Sequence, residues 1–567
     1  MSRVRKVEIS RFRGIHHFEW NPNPGVNCLI GPGDVGKSTV LDAIDFCLGS
    51  RRTLQFSDAD FHKLDAEKPI CVRVTIGDLE DALKNLDAYG LYLRGFDSES
   101  GEIVDEPEAG KETVLTIQMV VEADLEPVWS LHSDRASEQG QSRHLSWADR
   151  LKLATTRVGA FADYNLGWRK GSILNRVSEE RADASAQLAQ FAREARKSFG
   201  ETAKDQVQET LALVKKAASD LGIPVGEVTA MLDAQSVSLS GGTISLHDGD
   251  GVPLRGLGLG SVRLLVAGLQ REASARSSVV LVDEVEHGLE PHRICRLLHS
   301  LGAKDAEVPL QAVMTTHSPV VLRELSGDQL FVLRRTESGH EARRVGAEDA
   351  IQGTVRACPE ALLAPSVIVG EGASEIGLLR GLDLFRVEKG SPSISALGAG
   401  IADGNGKNTF RRANALLHLG YRVMVLRDSD EALPAEAKDF TDGGGAIASW
   451  REGLALEDEL FQSMPDGAVQ HMLDMAVEIK GEELVNDHIK SACDNALDLA
   501  GCRSGLSDEA REVLGKAAKS KSGAWFKTVT DMEAVGREVV GANLVESTEG
   551  FRKVVDAVFD WAGRSDE

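Results

Sequence analysis

The chain has 567 residues, of which 88 are acidic and 64 are basic, and its formal net charge is −24. A chain of this length holds two to four domains, each with a core of its own. The acidic balance excludes a protein that coats nucleic acid through overall positive charge. Its 7 cysteines are scattered without metal-site spacing, and no run of about 18 apolar residues occurs. We therefore expect a cytoplasmic protein with reduced thiols, without a secretion signal or membrane span.

The first motif in the chain is a glycine-rich phosphate loop. The apolar run Val26–Ile30 leads into GPGDVGKS, which matches G-x-x-x-x-G-K-[ST] in full, and a helical apolar pattern follows. In such a strand, loop and helix, backbone N–H groups converge on phosphates, with Lys37 reaching the β- and γ-phosphates and Ser38 binding Mg²⁺. The sequence therefore predicts an ATP site that contains Gly31, Gly33, Asp34, Gly36, Lys37, Ser38 and Thr39.

A second apolar run ends in two acidic residues. Val279–Val282 reads as a buried parallel strand with Asp283 and Glu284 at its carboxyl end, where the sites of α/β proteins lie. We expect Asp283 to hold Mg²⁺ through water and Glu284 to polarise the attacking water. A further predicted strand, Gln311–Thr316, precedes His317, which we expect to contact the γ-phosphate.

A glycine-rich turn, Gly256–Ser261, precedes an apolar helical pattern shortly before the acidic strand. A plain helix start is one interpretation. The other is the turn through which clamp-type ATPases contact a nucleotide held by a partner subunit. In that case Gly258, Gly260 and Ser261 bind ATP, and the protein is at least a dimer.

The C-terminal half contains a second acidic pattern. An apolar strand leads to Glu371, Glu375 follows on the first helical turn, and a later apolar strand leads to Asp428 and Asp430. Crowded carboxylates are typical of sites with two Mg²⁺ ions about 4 Å apart, and oxygen ligands favour Mg²⁺ or Mn²⁺ over zinc. The alternative is that the glutamates cap a helix and the aspartates lie in a solvated turn.

In the order of its motifs, the chain resembles the OLD (overcoming lysogenization defect) family, in which an ABC-type ATPase is fused to a Toprim nuclease. The Gabija defence nuclease is a relative of that family. The strand–Glu, helix, strand–Asp-x-Asp pattern of the C-terminal half resembles a Toprim domain. The ATPase motifs that carry the resemblance are Val7–Gly14, Asp34–Lys37, Asp283–Pro291 and Thr315–Pro319.

The resemblance implies further site residues. Trp450–Leu460 is similar to a later acidic motif of OLD Toprim domains, which implies that Glu457 is an additional metal ligand. A lysine cluster before Gly523–Lys527 is similar to the C-terminal basic segment of the family. The cluster consists of Lys516, Lys519 and Lys521, and the resemblance implies that one of them, for which we expect Lys521, stabilises charge on the scissile phosphate. Mg²⁺ is the expected ion, with Mn²⁺ or Ca²⁺ as alternatives at the Toprim site.

The predicted fold class is α/β: an ABC-type P-loop ATPase head with a helical dimerisation insertion, followed by a Toprim α/β domain with a helical C-terminal extension. An alanine-rich stretch with apolar residues at helical spacing predicts the insertion. The resemblance makes this insertion the dimerisation element. The predicted boundaries are 1–168 and 236–350 for the two parts of the ATPase, 169–235 for the insertion and 362–567 for the Toprim part.

The predicted function is an ATP-regulated, divalent-metal-dependent DNA endonuclease of antiphage defence. Its expected partners are DNA, further copies of the chain as a homodimer or higher oligomer, and a helicase encoded nearby. The alternative is a recombination-type DNA clamp that hydrolyses ATP and cuts nothing. A topoisomerase is disfavoured because none of the 4 tyrosines lies in a catalytic setting, and a primase because no zinc-module spacing occurs.

Overall fold

The computed structural model describes residues 2–49, 54–145, 149–150, 153–159, 165–166, 172–174, 190–191, 193–195, 198, 208, 210–212, 246–272 and 279–564. Most of the predicted helical insertion, 169–235, lies outside these residues. Among the described residues, no helix combines the length and the apolar character that crossing a membrane requires.

Strands and helices alternate along much of the chain. The strands are β1 (Arg3–Phe12), β2 (Ile15–Trp20), β3 (Val26–Ile30), β4 (Ile70–Gly77), β5 (Leu93–Phe96), β6 (Ile103–Val104), β7 (Glu112–Val121), β8 (Pro127–His132), β9 (Thr156–Val158), β10 (Val279–Val282), β11 (Gln311–Thr315), β12 (Leu330–Thr336), β13 (Gly339–Arg344), β14 (Ser366–Gly370), β15 (Ala399–Asp403), β16 (Arg422–Arg427) and β17 (Ala446–Ser449). The helices are α1 (Lys37–Leu48), α2 (Leu86–Tyr89), α3 (Asp134–Glu138), α4 (Leu259–Glu272), α5 (Pro291–Ser300), α6 (Pro319–Glu324), α7 (Asp349–Ala357), α8 (Ala373–Glu388), α9 (Thr409–His418), α10 (Glu436–Asp442), α11 (Leu456–Ser463), α12 (Asp466–Lys480), α13 (Glu482–Ala492), α14 (Leu499–Ser504), α15 (Asp508–Ala518), α16 (Val529–Ala534), α17 (Gly541–Asn543) and α18 (Glu549–Ala562).

Two compact units make up the chain. The first unit is Met1–Asn27 with Ser38–Thr316, and the second unit is Cys28–Lys37 with His317–Glu567. The strands expected before the phosphate loop and before Asp283 have the predicted bounds, as β3 and β10. The strand before His317 ends one residue earlier than predicted, at Thr315. The predicted domain boundaries remain predictions.

The first unit contains an antiparallel series of strands in the order β6-β5-β7-β4-β1-β2, with β8 paired to β7, and a parallel series β11-β10-β9. Buried Gln311 joins the two series, because its side chain accepts from Val4 N at 2.7 Å and donates to Val4 O at 2.9 Å. The apolar face predicted for α1, which includes Leu41 and Ile44, is fully buried. Ser38 Oγ donates to Asp283 Oδ1 at 3.0 Å, so the carboxyl end of β10 lies against the first turn of α1.

The second unit contains a parallel sheet in the order β15-β14-β16-β17. Strand β12 pairs in parallel with β3 and antiparallel with β13. The core beside β14 and β16 continues through the C-terminal helices and includes fully buried Phe461, Trp525 and Phe551. Because neighbouring parallel strands end at one edge, the residues that follow β14 and β16 lie side by side.

Candidate functional site

The phosphate loop has the backbone geometry that its glycines allow. Gly31 and Gly36 have φ of 137° and 93°, and Asp34 has φ of 59°. A Cβ atom on Gly31 would lie 2.6 Å from the carbonyl oxygen of Leu333, so β12 leaves no room for a side chain. The Lys37 ammonium donates to the carbonyls of Gly31 and Pro32 at 2.9 and 2.6 Å. Lys37 is thus held within the loop that precedes α1.

Around Asp283, the first unit gathers oxygen ligands of the kind that Mg²⁺ prefers. Asp283 Oδ1 accepts from Ser38 Oγ at 3.0 Å and from Thr315 Oγ1 at 2.7 Å. Asp283 Oδ2 accepts from Arg157 Nη2 at 3.1 Å. A hydroxyl at the start of α1 beside a strand-end carboxylate fits a magnesium ion, which Ser38 and Asp283 would hold.

Glu284 occupies a strained turn that an arginine from α4 supports. Its φ is +46°, in the left-handed region that side chains disfavour. Arg263, which is 1% exposed, donates to the carbonyls of Asp283, Glu284 and His287 at 2.5–3.1 Å. The Glu284 N–H donates to Thr315 Oγ1 at 2.8 Å. The Glu284 side chain is exposed to solvent, as the predicted role of polarising water requires. Arg263 was not predicted from the sequence as a residue of this site.

The glycine-rich turn packs directly against the chain that follows Glu284. A Cβ atom on Gly260 would lie 2.3 Å from the carbonyl oxygen of Gly288, so this position accepts only glycine. Ser261 Oγ accepts from Arg293 Nη1 at 3.2 Å, and Gly258 is exposed. The turn leads into α4, the predicted apolar helix. His317, the residue predicted to contact the γ-phosphate, is exposed and lies two residues after the end of β11.

The second unit brings four of the predicted carboxylates to the ends of neighbouring elements. Glu371 follows β14, Asp428 follows β16, Glu375 lies in the first turn of α8, and Glu457 lies in the first turn of α11. Glu371 Oε2 accepts from the Asp428 N–H at 3.2 Å. Asp428 Oδ1 accepts from the Leu456 N–H at 2.8 Å, which joins the start of α11 to the end of β16. We call Glu371, Glu375, Asp428 and Glu457 the acidic cluster.

Two glutamates of the acidic cluster are buried. Glu375 is 3% exposed, and its Oε2 accepts from the Gly372 N–H at 2.8 Å, so it also caps α8. Glu457 is 1% exposed; its Oε1 accepts from Ser374 Oγ at 3.2 Å, whereas its Oε2 has no hydrogen-bond partner. A buried carboxylate oxygen without a hydrogen-bond partner lowers the stability of the folded protein. An oxygen-binding cation would satisfy it.

Burial and mutual repulsion shift the protonation of the acidic cluster. Burial, with the charges of Glu375 and Glu457, raises the pKa of Asp428 to about 9. Burial, with the charges of Glu457 and Glu371, raises the pKa of Glu375 to about 7. Burial also raises the pKa of Glu371, and the negative charge of Asp430 raises it further. A divalent cation would reverse these shifts, because it stabilises the ionised forms.

Among the described residues, no three His, Cys, Asp or Glu side chains stand close enough together to hold a metal ion without rearrangement. Two of the candidate ligands are bound elsewhere, Glu375 to its helix cap and Glu371 to the Asp428 N–H. Asp430 is exposed two residues beyond Asp428. The oxygen donors and the unpartnered Glu457 Oε2 fit a divalent ion, which the acidic cluster would hold after side-chain rotation.

Lys527 lies beside the acidic cluster. Its Nζ lies 3.5 Å from Glu457 Oε1, and although burial opposes its charge, Glu457, Glu375 and Asp428 raise its pKa. Lys521, the residue predicted for this role, is exposed in the preceding turn, and Lys519 pairs with Asp458. The structure therefore brings Lys527, and not Lys521, to the carboxylates, and the role predicted for a lysine of this segment stays a prediction.

A buried aromatic pair determines where Lys527 lies. Trp525 is fully buried, and its Nε1 donates to His488 Nδ1 at 3.2 Å. Its ring contacts Phe461 of α11 edge-on at 5.9 Å, and Phe526 is 1% exposed. The aromatic residues in Gly523–Lys527 were a usable signal, since buried aromatics anchor their neighbours in sequence.

The pKa shifts predict that the protein in a chelator loses stability as pH rises from 6 to 9. The folded-state pKa of Asp428, about 9, and of Glu375, about 7, exceed the unfolded values of 3.8 and 4.5. The unfolded chain therefore binds fewer protons, and the stabilisation present at low pH is lost as pH rises through the folded values. Thermal unfolding in EDTA across this range measures the fall.

Asp428→Asn should flatten this pH dependence and raise the unfolding temperature at pH 8, whereas the matched change of exposed Asp442 to Asn should do neither. Mg²⁺ or Mn²⁺ should stabilise the wild type most at high pH, where the carboxyl groups ionise most readily. An equal pH slope in Asp428→Asn and in the wild type would contradict the assignment of the shift to Asp428.

Two family profiles match the N-terminal part of the chain. One is described as "AAA domain, putative AbiEii toxin, Type IV TA system" and matches residues 111–323. The other is described as a protein of unknown function and matches residues 2–75. No curated protein matches the chain.

Several solved structures are similar to about 60% of the chain. An SMC head bound to the C-terminal winged-helix domain of ScpA has 14% identity and a TM-score of 0.32, with 60% of this chain and 97% of that chain covered. The SMC head domain from Thermotoga maritima has 16% identity and a TM-score of 0.28, with 61% and 99% covered. The recombination mediator RecF has 12% identity and a TM-score of 0.30, with 61% and 98% covered.

Proposed function

We propose that this chain, which carries an ABC-type ATPase, is an ATP-regulated, divalent-metal-dependent DNA endonuclease of the OLD type. The observation that carries the proposal is the acidic cluster, in which Glu457 Oε1 lies 3.5 Å from Lys527 Nζ and the buried Glu457 Oε2 has no hydrogen-bond partner. A purely structural cluster would have its buried carboxylate oxygens satisfied by the protein. Burial of two glutamates in helix first turns, beside the partly buried carboxylates at two strand ends, instead supports a site that uses cations.

Each residue of the proposed site has a role that its contacts support. Glu371, Glu375, Asp428 and Glu457 would hold the divalent ions, which supply Lewis-acid stabilisation of phosphate and an ionised water when bound. Lys527 stabilises negative charge on the scissile phosphate, because the neighbouring carboxylates keep it protonated. Asp430, whose charge helps to raise the pKa of Glu371, would be a further ligand at the exposed side of the site.

The ATPase residues support the regulatory half of the proposal. Lys37 would bind the nucleotide phosphates, Ser38 and Asp283 would hold the Mg²⁺ that offsets phosphate charge, and Glu284 would orient the attacking water. The glycine-rich turn at Gly258–Ser261 contacts a nucleotide held by a second copy of the chain. ATP binding or hydrolysis then changes the dimer and gates DNA cleavage. By the OLD resemblance, the proposed setting is antiphage defence, with a helicase as a further partner.

The test is cleavage of supercoiled and linear DNA with Mg²⁺ or Mn²⁺, with and without ATP. Wild type should cut only with metal, and both Glu371→Ala and Asp428→Ala should lose at least about 100-fold in rate. Exposed Asp442→Ala serves as the matched control and should cut normally. Comparison of the cleavage rates with and without ATP shows whether ATP activates or inhibits cleavage.

Absence of cutting by the wild type under every condition, with ATP hydrolysis intact, would count against the nuclease and favour the DNA clamp. Cutting that survives in both alanine variants would show that the activity comes from another protein or another site. Either result would leave the assignment of the ATPase unaffected, since ATP hydrolysis is measured on the same samples.

A further inference from the structure

Arg157, on β9 of the first unit, is the cation on which three carboxylates converge. Its Nη1 pairs with Asp42 and lies 3.8 Å from Asp45 Oδ2, while its Nη2 donates to Asp283 Oδ2 at 3.1 Å. Strand β9 pairs in parallel with β10, and Arg157 lies opposite Leu281. The guanidinium therefore reaches the carboxyl end of β10 from the neighbouring strand.

The same guanidinium joins β10 to the helix of the phosphate loop. Asp42 and Asp45 lie on α1, one and two turns after Ser38. Asp42 also pairs with Arg13, which pairs in turn with Asp60. Because Arg157 is only partly exposed and touches both elements, it restricts how the start of α1 and Asp283 can move relative to each other.

Arg157 also alters the charge that a metal ion meets. Both oxygens of Asp283 are engaged, Oδ1 by Ser38 and Thr315 and Oδ2 by Arg157. A dication that approaches Ser38 and Asp283 meets a guanidinium within a few ångströms, and like charges repel strongly at that range in a partly buried site. Nucleotide phosphates carry the negative charge that offsets this repulsion.

We propose that Arg157 is a positioning residue that makes divalent-metal binding at Ser38 and Asp283 depend on nucleotide. It holds the Asp283 carboxylate in place and cancels its charge, so that bare metal binds weakly and metal with nucleotide binds well. The inference rests on the proposed assignment of Ser38 and Asp283 to the metal site of the ATPase, and it is independent of DNA cleavage.

The test measures Mn²⁺ bound to the full chain by electron paramagnetic resonance, with and without a non-hydrolysable ATP analogue. Wild type should gain an Mn²⁺ site when the analogue is added. Arg157→Met should show that site without nucleotide, with affinity raised at least about tenfold over the wild type. The double variant Arg157→Met/Asp283→Asn should lose the added site, which distinguishes it from Mn²⁺ bound to the acidic cluster.

Two controls separate charge from packing. Arg157→Lys retains the positive charge, and Arg13→Met removes the other guanidinium on Asp42 without touching Asp283. We expect that neither Arg157→Lys nor Arg13→Met binds Mn²⁺ at Asp283 in the absence of nucleotide. Arg157→Gln replaces Arg157→Met if the latter does not fold, with the same expected result.

No added site in the Arg157 variants, or an added site that persists with Asp283→Asn, overturns the role of Arg157. If the wild type gains no Mn²⁺ with the analogue, the assignment of Ser38 and Asp283 to the metal site is overturned together with it. The two failures are therefore distinguished by the wild type alone.

Discussion

Lys37→Ala should weaken ATP binding about 30-fold to 100-fold and reduce ATP hydrolysis at least about 100-fold. The ammonium is the charged donor within the phosphate loop, where it now donates to the carbonyls of Gly31 and Pro32. A charge-assisted hydrogen bond of this kind contributes about 2–3 kcal/mol, and removal of one donor to a developing phosphate charge costs about 100-fold or more in rate. Binding of a fluorescent ATP analogue and release of phosphate measure the two effects.

The same variant tests whether the ATPase gates DNA cleavage. Lys84→Ala, which changes an exposed lysine of the first unit, is the matched control and should keep both activities. Lys37→Ala should fold normally, retain the acidic cluster and lose the response of cleavage to ATP. Cleavage by Lys37→Ala that equals that of the wild type in rate, with and without ATP, would contradict gating and leave the nuclease proposal intact.

Arg263→Met should lower stability and also disable ATP hydrolysis. The substitution removes every hydrogen bond from the Arg263 guanidinium to the carbonyls of Asp283, Glu284 and His287, in a position that is 1% exposed. Loss of the buried charged donor to these carbonyls costs about 3 kcal/mol, which lowers the unfolding temperature by roughly 5–10 °C. Glu284 then leaves its left-handed conformation, and misplacement of such a group costs about 100-fold in rate.

Calorimetry and steady-state ATP hydrolysis below the unfolding temperature measure the two effects of Arg263→Met separately. Arg271→Met changes an arginine on the same helix, α4, that is 41% exposed and pairs with Asp305. This control should alter neither quantity by more than a small fraction. Normal hydrolysis by Arg263→Met with lowered stability would limit Arg263 to a structural role and disconnect it from Glu284.

The local elements of both sites are predictable from the chain because each has a short-range signature. Glycines before Lys37 specify the loop, and a run of apolar residues before Asp283 specifies a buried strand, so β3 and β10 match their predicted bounds. The apolar strands before Glu371 and Asp428 are likewise evident, and parallel pairing of β14 with β16 brings these two residues together. The proximity of Glu371 and Asp428 was thus predictable from the sequence, and the metal site there stays a prediction.

The partners of these residues are not predictable, because they lie far along the chain and follow no spacing rule. Arg157 is 126 positions from Asp283, and Lys527 is 70 positions from Glu457. In the sequence, nothing distinguishes Lys521 from Lys527 within this lysine-rich segment. Only the burial of Trp525 decides which of them faces the carboxylates.

The sequence by itself determined the order of the motifs, the strands that carry them, and which carboxylates follow those strands, since these depend on residue type and on hydrophobic periodicity over a few residues. The tertiary structure alone decided which cations face those oxygens and how each carboxylate is bound. Arg263 acts on backbone carbonyls, and Glu457 loses its solvent only when α11 packs into the core. Such effects arise from burial and long-range contact, which no local pattern encodes.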